Sequence, residues 1–235
     1  MSSIFITTEV AGQVCGISNG FARYLVDAGL VGGAKKNGNR RQVPHNAALA
    51  IAALPAADLS AFTTPEIAVL RTAPAENPTE VVPPALTRSS MGFDAALAPA
   101  VLLEALNRWW RGDPARIAAG AYLPVTVGSF CVAVLTGLDA AVPLGTGNDR
   151  RWYFPKARLL GHVLDLASAK VHHAAGLTVH EKVAVTALLT RRLDSVSGGP
   201  IAYVATPAGQ VVNQQGALAP SPGRPVAVSA SKSAT

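Results

Sequence analysis

The sequence predicts an α+β, helix-rich fold with two folded units. Three observations predict it. Short helical patterns with caps and a polar hairpin fill residues 5–54, prolines crowd residues 55–90, and longer helical and strand-like patterns alternate over residues 91–213. Residues 214–235 are mainly Ala, Ser, Pro and Gly, a composition that predicts a disordered tail.

The net charge of +6 is concentrated at the two ends of the chain. Residues 1–54 carry five basic and two acidic side chains, residues 55–169 are close to neutral, and residues 170–235 carry six basic and two acidic ones. No apolar stretch approaches the roughly 18 residues of a membrane span, and no basic segment follows Met1. With only Cys15 and Cys131, we expect reduced thiols in a cytoplasmic, nucleoid-associated protein without a membrane partner.

The first unit reads as two short helices, a hairpin and a third helix. Apolar spacing predicts helices over residues 6–15, 18–28 and 45–54. The expected caps and stops are Thr7 or Thr8, Gly16, Ser18 or Asn19, Gly29 and Pro44. The glycine-rich polar run over residues 32–41 cannot bury itself, which favours a hairpin tip.

The remaining chain is predicted as a proline-rich linker over residues 55–90 with one short helix at 65–71, followed by an α+β domain over residues 91–213. Expected helices lie at 93–110, 157–172 and 179–196. Residues 122–135 are expected as one bent strand or two paired ones, residues 151–154 as another strand, and residues 201–206 and 210–212 as a terminal hairpin. We expect Trp109, at a helix end, to close the core, and for Trp110 core and surface are equally favoured.

The landmarks of the first unit follow a known order. They are Thr7-Thr8, Val10-Ala11, Gly16-Ile17-Ser18, Arg23-Tyr24, Ala28-Gly29-Leu30 and Gly38-Asn39-Arg40-Arg41. This order resembles the MerR and excisionase-like winged helix-turn-helix family over residues 5–54, about a fifth of the chain. The resemblance implies double-stranded DNA as partner, the second helix in the major groove and the hairpin as a wing.

Two departures concern the wing, which lacks the usual proline in its first half and has Val43 where an aromatic residue is usual. The long coiled-coil dimerisation helix of MerR regulators is absent as well. The resemblance therefore predicts no dimer through such a helix, and a homodimer formed in another way is kept as an alternative.

The residues expected to contact DNA lie on the second helix and the hairpin. Short polar side chains and a guanidinium at a helix N-terminus suit base edges and phosphates, and a basic hairpin suits the backbone or minor groove. The expected contacts are Thr8, Ser18, Asn19, Gly20, Arg23, Tyr24, Lys35, Lys36, Asn37, Asn39, Arg40 and Arg41. Arg150, Arg151 and Trp152 form a second basic-aromatic cluster, for which a second DNA contact and an exposed turn are equally favoured.

No catalytic, cofactor or metal motif stands out. His172, His173, His180 and Glu181 match no compact zinc spacing, and we expect them at solvated helix ends. The sequence therefore favours a sequence-specific DNA-binding transcriptional regulator, a repressor of phage or plasmid type, that is not an enzyme. The alternatives are an excisionase-like or partition-type architectural protein and, less favoured, an enzyme that a winged unit delivers to DNA.

Overall fold

The structure, a computed structural model, describes residues 4–79, 82–196 and 199–210. The predicted tail over residues 214–235 lies outside them, as do residues 211 and 212 of the expected terminal hairpin. The first unit comprises β1 (Phe5–Thr7), α1 (Thr8–Cys15), α2 (Asn19–Asp27), β2 (Lys35–Asn37), β3 (Arg40–Pro44) and α3 (His45–Ala52). Its strands form an antiparallel sheet in the order β1-β3-β2.

Local capping defines the helices of this unit, as the sequence predicts. The Thr7 side chain accepts from the Val10 amide, and Gly16 ends α1 in the left-handed conformation at φ 66°. Ser18 caps α2 by accepting from the Phe21 amide. A side chain at Gly12 would lie 2.9 Å from the Ile17 carbonyl oxygen, so this glycine permits the tight turn between α1 and α2.

The rest of the chain is built on a large mixed sheet. Its elements are β4 (Glu66–Thr72), α4 (Pro99–Leu106), β5 (Arg108–Trp110), α5 (Pro114–Ala119), β6 (Tyr122–Val127), β7 (Phe130–Thr136), β8 (Val142–Leu144), β9 (Arg151–Tyr153), β10 (Arg158–Asp165), β11 (Lys170–His173), α6 (Val179–Leu188) and β12 (Ile201–Ala205). The six-stranded sheet has the order β11-β10-β7-β6-β4-β12, and β4 pairs parallel with β6. A small antiparallel sheet has the order β5-β9-β8.

The two parts share one hydrophobic core. Residues of α2 and of the six-stranded sheet belong to the same buried cluster. Main-chain bonds cross the junction, from the Leu166 amide to the Leu30 carbonyl at 2.9 Å and from the Ala95 amide to the Ala28 carbonyl at 3.0 Å. The Arg192 guanidinium donates to the Cys15 carbonyl at the end of α1. The first unit is therefore packed onto the sheet.

The stretch predicted as a linker is largely structured, which corrects the expected boundary at residues 55–90. It contains β4, whose residues Ile67 to Leu70 are buried between β6 and β12, where a short helix was expected. The prolines lie before and after this strand. The proline-rich composition is therefore a property of the segments that flank β4, and not of the strand itself.

A second correction concerns residues 157–172, predicted as a helix and found as β10 and β11. The apolar residues of this stretch suit either structure, because a strand covered on both faces is continuously apolar. Gly161 lies at its centre, and a Cβ there would come within 2.9 Å of the His172 carbonyl oxygen and 3.1 Å of a Leu189 methyl. The close approach of β11 and of the Leu189 side chain therefore accounts for the glycine.

The predicted α+β class is confirmed, whereas the helix-rich expectation is not, because two expected helices are strands. The helices expected over 93–110 and 179–196 are present but shorter. Strand β12 pairs with β4, where a terminal hairpin of 201–206 with 210–212 was expected. Trp109 and Trp110 are both buried, and so are the free thiols of Cys15 and Cys131, whose pKa values burial raises. Among the described helices, none has the length and apolar character needed to cross a bilayer.

Candidate functional site

The second helix presents a polar face to solvent. Ala22, Leu25 and Val26 are buried on its inner side. On the outer side the expected DNA contacts Asn19, Gly20, Arg23 and Tyr24 are exposed, as is the capping residue Ser18. These exposures hold in the presence of the large sheet, so packing of the first unit leaves the polar face of α2 uncovered.

The β2-β3 hairpin projects beside α2. Gly38 forms its turn at φ 54°, a left-handed conformation that glycine adopts without strain. Around this turn the side chains of Lys35, Lys36, Asn37, Asn39 and Arg40 are exposed. The Lys35 ammonium lies 4.0 Å from the centroid of the Phe5 ring, a cation–π contact that reaches across β3 to β1.

An ion pair fixes the hairpin to the end of α2. The Arg41 Nε lies 2.8 and 2.9 Å from the two carboxylate oxygens of Asp27. The Lys36 ammonium donates to the Asp27 carbonyl at 3.2 Å and lies 3.7 Å from its carboxylate. Arg41 is only 18% exposed. Its guanidinium thus holds the hairpin in position, a structural role that sequence reasoning did not assign to it.

A second contact joins the helix to the hairpin tip. The Arg23 guanidinium donates to the Asn39 carbonyl at 3.4 Å, and the Arg41 guanidinium donates to the same carbonyl at 3.0 Å. The exposed face of α2 and the hairpin are therefore neighbouring parts of one surface. This cationic surface carries Arg23, Lys35, Lys36, Arg40 and Arg41, and Asp27 is the acidic residue within it.

Thr8 does not belong to this surface. It is the first residue of α1 and only 8% exposed, because the preceding residue, Thr7, takes the capping position. A buried side chain cannot reach a nucleic acid, so the expectation for Thr8 is corrected.

The second basic-aromatic cluster separates into two environments. Arg150 is exposed, and its guanidinium carbon lies 5.9 Å from the centroid of the Trp152 ring. Trp152 packs against the core. Arg151 lines a cavity of about 530 Å³ together with Trp109. Because neighbouring residues of β9 point to opposite faces, the three side chains do not form one contact patch.

Sequence reasoning missed a groove between α2 and the large sheet. A cavity of about 300 Å³ there is lined by Phe21 and Tyr24 from α2, Arg71 from the end of β4, and Gly128 from the β6-β7 turn. Gly128 has φ 61°, and a Cβ at this position would contact the Phe21 side chain at 3.4 Å. Gly128 lies within the stretch 122–135 that the sequence predicts as strand, and its closeness to α2 depends on the tertiary fold.

The histidines expected at helix ends lie mainly on strands. His172 and His173 belong to β11, and Glu181 is a buried member of the capping box that starts α6. Hydrogen bonds from Thr178 and the nearby Arg158 lower the pKa of Glu181. Over the described ranges, no group of three or more His, Cys, Asp or Glu residues is arranged to hold a metal ion.

No family model, no curated protein and no solved structure matches this chain. Its function is therefore inferred from the geometry and chemistry of its own residues.

Proposed function

We propose that residues 5–54 form a winged helix-turn-helix that binds double-stranded DNA, and that the protein is a sequence-specific DNA-binding regulator acting as a repressor. The observation that carries the proposal is the cationic surface, in which the exposed face of α2 and the hairpin are joined by the Arg23–Asn39 and Arg41–Asp27 contacts.

In this proposal α2 enters the major groove, which is about 12 Å wide and admits one helix. Asn19 begins α2 and Arg23 lies at its middle, and both are exposed, so they are the side chains that read base edges, Arg23 as a bidentate donor to guanine. The amides at the start of α2 favour a nearby phosphate. Arg40 and Lys35 on the hairpin follow the backbone or the adjacent minor groove.

The fixed hairpin supports specific binding, because a clamp on Asp27 keeps the wing at a defined position relative to α2 before DNA arrives. Pre-ordered elements lose less conformational entropy on association than mobile ones. The Arg41–Asp27 pair therefore favours affinity indirectly, and the exposed Arg40 beside it is placed to contact the nucleic acid.

Binding as a repressor is supported by the way the first unit joins the rest of the chain. Among the described helices the longest, α6, has ten residues, which is too short for a coiled coil of several heptads. The first unit packs directly on the large sheet, so bound protein would place that sheet beside the operator. In this proposal the bound protein represses by occupying the site. A second DNA contact remains proposed for Arg150.

Genome-wide immunoprecipitation of the full-length protein in its own cell tests the proposal. A regulator gives discrete peaks with a shared motif, which is palindromic for a dimer and asymmetric for a monomeric repressor. Diffuse enrichment without a motif would favour the excisionase-like or partition-type architectural role and contradict sequence-specific regulation. Loss of the peaks in Arg23→Ala, with protein abundance unchanged, is the expected companion result.

A further inference from the structure

The small sheet contains an unusual distortion at Trp109. The β5-β9 ladder pairs Arg108 with Tyr153 and Trp110 with Trp152, which leaves Trp109 as an extra residue in a β-bulge. Trp109 has φ 69°, a left-handed conformation that bulky residues rarely adopt. Such bulges redirect a side chain, and strained residues of this kind concentrate at ligand-binding sites.

The redirected side chain forms one wall of the cavity of about 530 Å³. Trp109 is 7% exposed, and its ring lies 5.9 Å from the Tyr153 ring. Its indole N–H is buried without an acceptor among the described residues. Met91 and Leu144 add apolar surface to the same cavity. This volume falls within the range of small-molecule sites, about 300 to 1,000 Å³.

Two arginines make the adjoining wall rigid. Arg108 is 7% exposed and donates to the Asn107 side-chain oxygen at 3.0 Å and to the Leu86 carbonyl at 3.3 Å. Arg88, which lines the cavity, donates to the Ala105 carbonyl at 2.7 Å. These bonds fasten residues 86–88 to the corner between α4 and β5, so the cavity is formed before any ligand binds.

Among the described residues that line the cavity, the basic side chains outnumber the acidic one. Arg151 lines it from β9, and its side chain has no ion-pair or hydrogen-bond partner in the part of the chain that the structure describes. The acidic residue of the lining, Asp149, lies 3.2 Å from Arg111, which offsets its charge. Within the described ranges, Arg151 thus supplies a cation without an ion-pair partner beside an apolar wall.

We propose that this cavity binds a small organic anion, a carboxylate, sulfonate or phosphate ester with an apolar body. The anionic group pairs with Arg151, and the apolar body lies against Met91, Leu144 and Trp109. The site goes beyond DNA binding, because none of its residues belongs to the cationic surface, and its test does not involve DNA.

Titration of the full-length protein with the anionic fluorophore 8-anilinonaphthalene-1-sulfonate tests the site. Arg151→Gln should weaken binding about tenfold, since a charge-assisted hydrogen bond is lost. Arg150→Gln removes the same charge from the neighbouring, exposed residue, and it should leave the affinity unchanged. Arg151→Lys should keep most of the affinity, and Leu144→Ser should reduce it while leaving all charges in place.

Equal effects of Arg150→Gln and Arg151→Gln, or no effect of either, would overturn the proposal. So would loss of binding in Val183→Ser, because Val183 and Val179 form an exposed apolar stretch on α6 that offers this fluorophore a different surface. Urea denaturation of each variant shows whether it is folded. If Arg151→Gln fails to fold, Leu144→Ser decides the outcome.

Discussion

Neighbouring arginines on β3 should have separable effects on DNA binding and stability. Arg40 is exposed and faces solvent, whereas Arg41 is 18% exposed and bonded to Asp27, because successive strand residues point to opposite faces. We therefore expect Arg40→Ala to weaken binding to all duplexes and to leave the free energy of unfolding unchanged. Arg41→Ala should lower that free energy without removing a phosphate contact.

The magnitudes follow from the two environments. One phosphate contact contributes about 0.9 to the slope of log affinity against log salt concentration, so the slope should fall by about that amount in Arg40→Ala. A hydrogen bond to a charged partner contributes about 1.5 to 3 kcal/mol, and partial exposure reduces this value. For Arg41→Ala we expect a loss of about 1 to 2 kcal/mol, because the Asp27 carboxylate, 26% exposed, then lacks its main partner.

Fluorescence anisotropy of a labelled duplex at several KCl concentrations measures the slope, and urea denaturation measures the free energy of unfolding. An Arg41→Ala protein of unchanged stability but with a reduced slope would refute the assignment of Arg41 to the clamp. Equal slopes for wild type and Arg40→Ala would refute the contact of Arg40 with the phosphate backbone.

Three further predictions concern other parts of the chain. Arg23→Ala should lower specific affinity by about 1 to 3 kcal/mol and relax one or two operator positions, and an equal loss on random DNA in competition assays would leave Arg23 only a phosphate role. Limited proteolysis followed by mass spectrometry should give no early cut within Glu66–Thr72, because this strand is paired on both sides; a native-state cut there would show that β4 is not part of the sheet. Burial, assisted by the nearby His172, lowers the pKa of His162 to about 4, below the unfolded value of 6.5. The unfolded state then binds the proton first, so this contribution to stability is present above pH 6.5 and is lost as pH falls toward 4. Urea denaturation at pH 7 and pH 5 should show a smaller loss for His162→Gln than for wild type, and identical losses would be inconsistent with this origin.

The first unit was predictable because its signals are local. Ser18 and Gly16 mark helix ends within a few residues of the bonds that they make, and Gly38 lies at the turn of its own hairpin. The ion pair that fixes this hairpin was not predictable, since Asp27 and Arg41 lie 14 residues apart and meet only after α2 and β3 have packed.

The second part was harder to predict because long-range pairing decides its elements. Strand β4 is specified by β6 and β12, which are distant in sequence, and its proline-rich flanks obscure it. In β10 the apolar pattern suits a helix equally well, and the cue that was missed is Gly161, which a helix interior disfavours. The bulge at Trp109 likewise depends on its pairing with β9.

Selection from a library of random duplexes by the full-length protein tests the central claim most directly. We expect a discrete motif, bound at least about 10³-fold more tightly than its scrambled version at physiological salt. Selection with Arg23→Ala should relax this motif, whereas Lys156→Ala, which removes one exposed positive charge from the loop between β9 and β10, should reproduce it. Failure of the wild-type protein to enrich any motif, with equal affinity for every duplex, would contradict sequence-specific DNA binding through α2 and the hairpin.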